Sequence, residues 1–343
     1  MGEHPAVLVD RFGRVATDLR VSLTDRCSLR CAYCMPPEGL PWLPKPDLLT
    51  DDELVRLVAV AVSLGVREVR LTGGEPLLRR GVPELVARLA ALRPRPELSI
   101  TTNGILLGRD AAALAAAGLD RVNVSLDTLD PERFRQITFR DKHAAVLAGL
   151  VAARAAGLEP VKVNAVLLRG SNDDEAPTLL AWALAEGYQL RFIEQMPLDA
   201  QHAWDRAAMV TADEVLASLR EVYELAPVSD PDRGSAPAET WAVLDGPDRA
   251  AWADPAPRVG VVGSVTRPFC GACDRVRLTA DGQLRNCLFA TEESDLRGAL
   301  RSGADDAELA RRFVASLAGK KAGHGIDDPG FLQPDRPMSA IGG

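Results

Sequence analysis

Residues 50–76 read TDDELVRLVAVAVSLGVREVRLTGGEP, and they contain one complete helix, turn, strand and loop. Thr50 and Glu53 frame a capping box ahead of an apolar-periodic stretch that runs to about Leu64. Gly65 then stands where a helix ends in a left-handed residue. Residues 68–72 alternate Val69 and Leu71 with Arg70 and Thr72, so the segment is a strand with one apolar and one polar face. Gly73 and Gly74 close the unit with a turn that lets backbone come close to whatever lies above the strand.

The same unit recurs on both sides. Residues 19–23, 98–102, 121–127, 161–168 and 190–196 are further β-rich runs, and Gly118, Gly157 and Gly187 each end a helical pattern shortly before a strand. Six β/α units in succession predict an α/β fold with a parallel sheet under helices. With no obvious seventh and eighth unit, an incomplete (β/α)6 TIM-type barrel is expected, a doubly wound sheet being the alternative. After residue 196 a helix is expected over 212–224, followed by a Pro, Gly and Asp-rich stretch at 227–257. A smaller unit follows, with a strand at 258–265 and a hairpin of 276–279 and 283–288 about Ala280-Asp281-Gly282. The expected division is 1–226 for the barrel with its N-terminal segment and 227–343 for a hairpin-containing extension that closes the barrel mouth.

The chain has 343 residues, 47% of them hydrophobic and 26% charged, which fits a globular protein with a sizeable core. Forty Lys and Arg against 48 Asp and Glu give a net charge of -8, which argues against a nucleic-acid or anionic-membrane partner. No apolar run is long enough to cross a bilayer, and residues 1–20 lack a secretory apolar core, so a cytoplasmic, reducing location is expected.

Within the strands, Arg20 with Ser22, Arg70 with Thr72, Asn123 with Ser125 and Asp127, and Lys162 with Asn164 share the face opposite the helices. An interior lined this way is a poor core and a good pocket for an anion. Structural ion pairs with Asp127 and Glu75 are the plainer alternative.

Six cysteines fall into two triads. Cys27, Cys31 and Cys34 form C-x3-C-x2-C in the loop after the first strand, where a barrel carries its active site. A disulfide leaves one thiol over, and zinc wants a fourth ligand that the neighbouring sequence lacks, so an iron-sulfur cluster with one open iron fits better. Cys270, Cys273 and Cys287 form C-x2-C-x13-C, where a structural zinc knuckle or a second three-ligand cluster are both readings of the spacing. Arg275 and Arg277, on one face of the adjoining strand, add two guanidinium forks for phosphate or carboxylate. Their alternative is a solvated hairpin face, and Met196 by itself reads as a core residue.

C-x3-C-x2-C with Tyr33 before the third cysteine, the GGEP turn and the six β/α units together resemble the radical S-adenosylmethionine superfamily. Thr24-Asp25-Arg26, Cys34-Met35-Pro36, Thr101-Thr102-Asn103-Gly104, Val161-Lys162-Val163-Asn164, Arg191-Phe192-Ile193-Glu194, the second triad and the Gly-Gly terminus narrow this to the branch that cyclises GTP at the entry to molybdenum cofactor biosynthesis. The resemblance implies two 4Fe-4S clusters, held by Cys27, Cys31 and Cys34 and by Cys270, Cys273 and Cys287. It implies S-adenosylmethionine at Tyr33, Gly74, Ser125 and Met196, and GTP at Arg20, Arg70, Thr101, Lys162, Arg275, Val276 and Arg277, with Arg275 and Arg277 also in the catalytic set beside the first triad.

The implied reaction is cleavage of S-adenosylmethionine to a 5′-deoxyadenosyl radical, loss of the ribose 3′ hydrogen, and closure onto guanine C8 to give (8S)-3′,8-cyclo-7,8-dihydroguanosine 5′-triphosphate. Implied partners are a reductase or a ferredoxin- or flavodoxin-type electron donor, a cyclic pyranopterin monophosphate synthase downstream, and a second copy of the chain in a homodimer. The nearest rival is a peptide-maturing radical enzyme, and a non-enzymatic electron carrier or zinc scaffold is the alternative from another class. Ser28, Phe139 and an apparent insertion near 246–255 depart from the branch's usual pattern.

Overall fold

The computed structural model describes residues 7–229 and 234–342. Six strands form an arc in chain order: β1 (Asp18–Ser22), β2 (Glu68–Thr72), β3 (Glu97–Thr102), β4 (Arg121–Ser125), β5 (Lys162–Val166) and β6 (Gln189–Ile193), each parallel to the next. Between them run α1 (Asp51–Ser63), α2 (Val82–Ala90), α3 (Leu107–Ala116), the pair α4 (Pro131–Thr138) and α5 (His143–Ala155), and α6 (Ala176–Glu186). The capping box that opens α1 is formed: Thr50 Oγ1 accepts from the Glu53 amide at 3.2 Å, and the Glu53 carboxylate accepts from the Thr50 amide at 2.8 Å.

The two faces of the arc are as unlike as alternation requires. Leu19, Val21, Val69, Leu71, Leu98, Ile100, Val122, Val124, Val163, Ala165, Leu190 and Phe192 are buried in one continuous apolar core. Arg20, Arg70, Ser99, Arg121, Asn123 and Lys162 take the other positions. The register sets Arg20 beside Arg70 and Arg70 beside Ser99, and it aligns Thr101, Asn123 and Lys162. Cations are therefore stacked side by side on the concave face.

The remainder of the chain continues this sheet. After α7 (Ala212–Arg220), β7 (Glu224–Pro227) and β8 (Glu239–Asp245) lead into β9 (Arg258–Val262), which lies parallel on β6. At the opposite edge β10 (Arg275–Leu278) lies parallel on β1, then pairs antiparallel with β11 (Gln283–Arg285), which meets β12 (Ser294–Asp295). The result is one open twelve-stranded sheet whose parallel part has eight strands, an incomplete TIM-type barrel. Expected strand 258–265 ends at Val262, and expected helix 212–224 ends at Arg220 because Glu224 begins β7. Helices α8 (Leu296–Arg301) and α9 (Asp306–Ala318) pack near β11 and α1, and a last short helix α10 (Met338–Ile341) turns back to the barrel mouth. Of the Gly-Gly terminus, Gly343 lies outside the described residues.

Two departures from the branch's pattern have local explanations. Phe139 caps α4 with φ +54°, a left-handed conformation that glycine adopts freely and phenylalanine at a cost of about 1 to 2 kcal/mol. Ser28 Oγ accepts from Asn103 Nδ2 at 3.0 Å. The stretch near 246–255 packs at the far end of the barrel, where the Ala253 amide donates to the Leu184 carbonyl.

Candidate functional site

The loop after β1 is held from four sides, which brings its three thiols to one place. The Arg30 and Ala32 amides donate to the carbonyls of Thr138 and Ile137 at the end of α4. The Leu43 amide donates to the Asp25 carboxylate at 2.6 Å. Tyr33 Oη donates to Asp127 Oδ2 at 2.9 Å, so the aromatic ring before the third cysteine anchors the loop to the end of β4.

The fourth hold is the GGEP turn. A Cβ at Gly73 would lie 2.3 Å from the Thr24 carbonyl oxygen, and one at Gly74 would lie 2.4 Å from that of Arg26. These glycines are thus needed where two loops touch, besides bordering the cavity above. Glu75 is fully buried and accepts from Thr102 Oγ1 and from the Asn103 and Leu77 amides. Burial nonetheless pushes its carboxyl up to about 7.

Cys27, Cys31 and Cys34 line a cavity of about 160 Å3 together with Tyr33, Gly73, Gly74, Thr101, Asn103, Ser125, Asp127, Met338 and Ser339. Burial pushes the Cys27 thiol up to about 11 and the Cys34 thiol up to about 12, and holds the Cys31 thiol well above its ordinary value. Three thiolates would repel one another in this apolar setting, so a bound cationic centre is what makes them ligands. Asn103 Nδ2 also reaches the Cys27 sulfur at 3.9 Å.

The second triad borders a cavity of about 70 Å3 with Met196, Ser264, Phe269, Arg275, Arg277, Leu288, Phe289 and His324. Its thiols differ. Burial raises Cys270, whereas at Cys273 burial is outweighed by the Lys320 ammonium and Arg275, and the thiol falls below its ordinary value. Among the described residues no three Cys, His, Asp or Glu side chains gather tightly enough to hold a single metal ion. Zinc draws its thiolates to ~2.3 Å from one point. Among the described residues neither triad is drawn in that closely.

Between the triads lies a cavity of about 230 Å3 that shares Tyr33, Cys34, Thr101, Ser125 and Asp127 with the first and Met196, Ser264, Phe269, Arg275 and Arg277 with the second. Arg20, Arg70 and Arg191 complete its cationic wall. Burial, then Arg277 and Arg70, press the Arg20 guanidinium well below its ordinary value, and burial brings Arg277 and Arg191 to about 10. All remain charged at neutral pH. Their compensation is thin: Asp18 stands 3.8 Å from Arg20 and 3.7 Å from Arg275. Among the described residues, Arg20 Nε, Asp18 Oδ1, Asn123 Oδ1 and Asn164 Oδ1 are buried with no hydrogen-bond partner. A wall of guanidinium groups with so little carboxylate against it suits a multiply charged anion.

Of the residues expected at S-adenosylmethionine, Tyr33, Gly74 and Ser125 line the first-triad cavity, while Met196 stands in the walls of the other two. Of those expected at GTP, Arg20, Arg70, Thr101, Arg275 and Arg277 line the central cavity. Lys162 sits deeper, beside Arg191 and Arg70, and burial brings it down to about 7. Val276 belongs to the apolar core behind β10. Arg275 stacks over Phe269 at 4.8 Å, and Arg277 donates to the Gly342 carbonyl.

Arg191, in the sequence only part of the Arg191-Phe192-Ile193-Glu194 motif, belongs to the cavity wall, and the alternation of β6 marks it as plainly as β1 and β2 mark Arg20 and Arg70. Met338, Ser339 and Lys320 join the two sites with no local pattern in the sequence to mark them.

The sequence profile of the Radical SAM superfamily matches residues 21–183, and that named Molybdenum Cofactor Synthesis C matches residues 188–326. A GTP 3′,8-cyclase of Streptomyces coelicolor is 67% identical over 343 residues, covering all of this chain and 97% of that protein. One from Mycolicibacterium smegmatis is 60% identical over 337 residues, covering 98% and 92%. Among solved structures, Streptococcus suis SuiB bound to S-adenosylmethionine superposes with a TM-score of 0.54 at 13% identity, covering 90% of this chain and 67% of that one, a likeness of fold.

Proposed function

This chain belongs to the GTP 3′,8-cyclase family within the radical SAM superfamily, and we propose that its two cysteine triads divide the reaction between them. It acts on GTP at the first step of molybdenum cofactor biosynthesis, with two 4Fe-4S clusters and S-adenosylmethionine as cofactors. With these in place the chemistry supplied is reductive cleavage of S-adenosylmethionine, removal of the ribose 3′ hydrogen and closure at guanine C8. The protein's own part is to hold two nucleosides edge to edge in a cavity that excludes water.

Cys27, Cys31 and Cys34 hold the radical-generating cluster, with Tyr33, Gly74 and Ser125 around S-adenosylmethionine and Met196 at the border with the substrate. Arg20, Arg70 and Lys162, joined by Arg191, take the triphosphate, and Thr101 stands where the two ligands meet. Cys270, Cys273 and Cys287 hold the second cluster against the guanine, with Arg275, Arg277 and the Val276 backbone beside it. The observation that carries this reading is the continuity of the three cavities, which puts a cation-lined chamber between two thiol triads. Reducing equivalents come from a reductase or a ferredoxin- or flavodoxin-type donor, and the product passes to a cyclic pyranopterin monophosphate synthase. The working form is a cytoplasmic homodimer, and no helix among the described residues is long and apolar enough to cross a membrane.

The test uses dithionite as reductant and follows two products. Cys31→Ser is expected to abolish 5′-deoxyadenosine formation, whereas Cys273→Ser is expected to keep slow cleavage and lose the cyclised nucleotide. Cyclised product from Cys273→Ser at the wild-type rate would refute the substrate-holding role, and 5′-deoxyadenosine from Cys31→Ser would refute the radical-generating one.

A further inference from the structure

Lys320 is a cation buried where charge is expensive. Only 2% exposed and just beyond α9, it donates from Nζ to the Cys273 carbonyl at 3.0 Å, to the Arg275 carbonyl at 2.8 Å and to the Cys273 sulfur at 3.4 Å. Among the described residues no carboxylate lies within ion-pair distance of it. Two carbonyls satisfy hydrogen bonds but leave a buried charge without a counterion. The nearest atom able to carry a full negative charge is the Cys273 sulfur, as a thiolate bound to iron.

The contact is specific to one ligand. Arg14 approaches the same triad but donates to the Cys270 carbonyl, at 2.6 Å, and among the described residues no other side chain donates to a sulfur of this triad. Cys273 also leads directly into β10, so the group that meets its sulfur also fixes the first backbone carbonyl of the strand carrying Arg275 and Arg277.

We infer that Lys320 is a positioning residue of the second cluster, setting the reduction potential through an N–H···S bond to Cys273 while holding the start of β10 in place. The inference rests on the reading that Cys270, Cys273 and Cys287 bind a 4Fe-4S cluster. Reduction adds one electron from the external reductant to the cluster, and no bond is made or broken at Lys320, which keeps its protons. A hydrogen-bond donor and positive charge at a ligand sulfur favour the more negative, reduced form and raise the potential.

The experiment is a redox titration followed by electron paramagnetic resonance, in full-length protein carrying Cys27→Ser, Cys31→Ser and Cys34→Ser so that only the second triad holds iron. Lys320→Met is expected to disfavour reduction about tenfold, a downward shift of about 59 mV for a one-electron couple. Lys320→Arg, which keeps the charge and donors, is expected to restore most of the wild-type value. A Lys320→Met protein that loads iron like its parent and titrates at the parent's potential would overturn the inference.

Should Lys320→Met hold too little iron to titrate, Lys320→Gln, which removes the charge and keeps an amide donor, is titrated in its place and is expected to shift downward by part of that amount; a Lys320→Gln protein at the parent's potential would overturn the inference. If the parent binds no iron, the cluster reading of the triad falls and this inference with it.

Discussion

Lys162 is the group through which pH should report on substrate binding. Burial, followed by the guanidinium groups of Arg191, Arg121 and Arg70, outweighs the Glu97 carboxylate and brings its ammonium from 10.5 to about 7. A triphosphate in the central cavity reverses that balance and recharges the lysine. At pH 8 about one empty site in eleven carries the proton, so GTP binding should draw in about 0.9 proton per chain. Terminal phosphates ionise near pH 6 and add little at that pH. Calorimetry in two buffers of different protonation heat measures the uptake, and affinity should weaken about tenfold per pH unit above 8. Lys162→Met should abolish the uptake and flatten the profile. Binding without proton uptake at pH 8, or a variant that keeps the wild-type uptake, would refute the reasoning.

The same displacement acts on folding. Between about pH 7 and 10.5 the unfolded chain binds this proton and the folded chain does not, so wild-type stability rises with pH through that window. Ligand-free Lys162→Met should therefore melt higher than the wild type at pH 7, and the gap should close as pH approaches 10.5.

Three further outcomes are expected. Anaerobic reconstitution should give about eight irons per chain, two clusters of four, and stoichiometric zinc at Cys270, Cys273 and Cys287 would contradict this. Arg275→Ala and Arg277→Ala should each weaken GTP binding by about 1.5 to 3 kcal/mol while leaving S-adenosylmethionine binding near normal, as read by equilibrium dialysis; unchanged affinity in both would return them to structural roles. Glu194, buried at the end of β6, accepts from the amides of Ala212, Val265 and Thr266 and from the Thr266 hydroxyl. Glu194→Gln turns one acceptor oxygen into a donor facing amides and should cost about 3 kcal/mol in denaturant unfolding; a loss near zero would mean the turn rearranges freely.

The barrel could be read from local signals because each β/α unit carries its own punctuation. Thr50 and Glu53 announce α1, and Gly65, Gly118, Gly157 and Gly187 all adopt positive φ where the helices stop. The polar faces of β1, β2, β4 and β5 gave away the cationic interior for the same reason, since alternation needs no partner to be visible. Edges are another matter. Nothing near Arg275 says that its strand pairs with Asp18, and nothing near Arg258 says that β9 extends β6, because register between distant segments is settled by packing. Lys320 illustrates the limit most clearly: a lysine at the end of an amphipathic helix has no sequence mark that separates a solvated charge from one resting on a cysteine sulfur.

The pairing of β10 with β1 also bears on how the chain reaches its native state. Thr17 and Asp274 lie 257 positions apart in the chain, and at ~5 to 20 residues per second a ribosome needs roughly 10 to 50 s to cover that span. Throughout that interval one side of β1 offers open amides and carbonyls with an apolar row behind them, the kind of template on which strands of other nascent chains add. The loop bearing Cys27, Cys31 and Cys34 emerges directly behind that edge. On the proposed assignment of the first triad, iron delivered early would load a half-built barrel, so cluster insertion there is best served by waiting until the last strands have closed the rim.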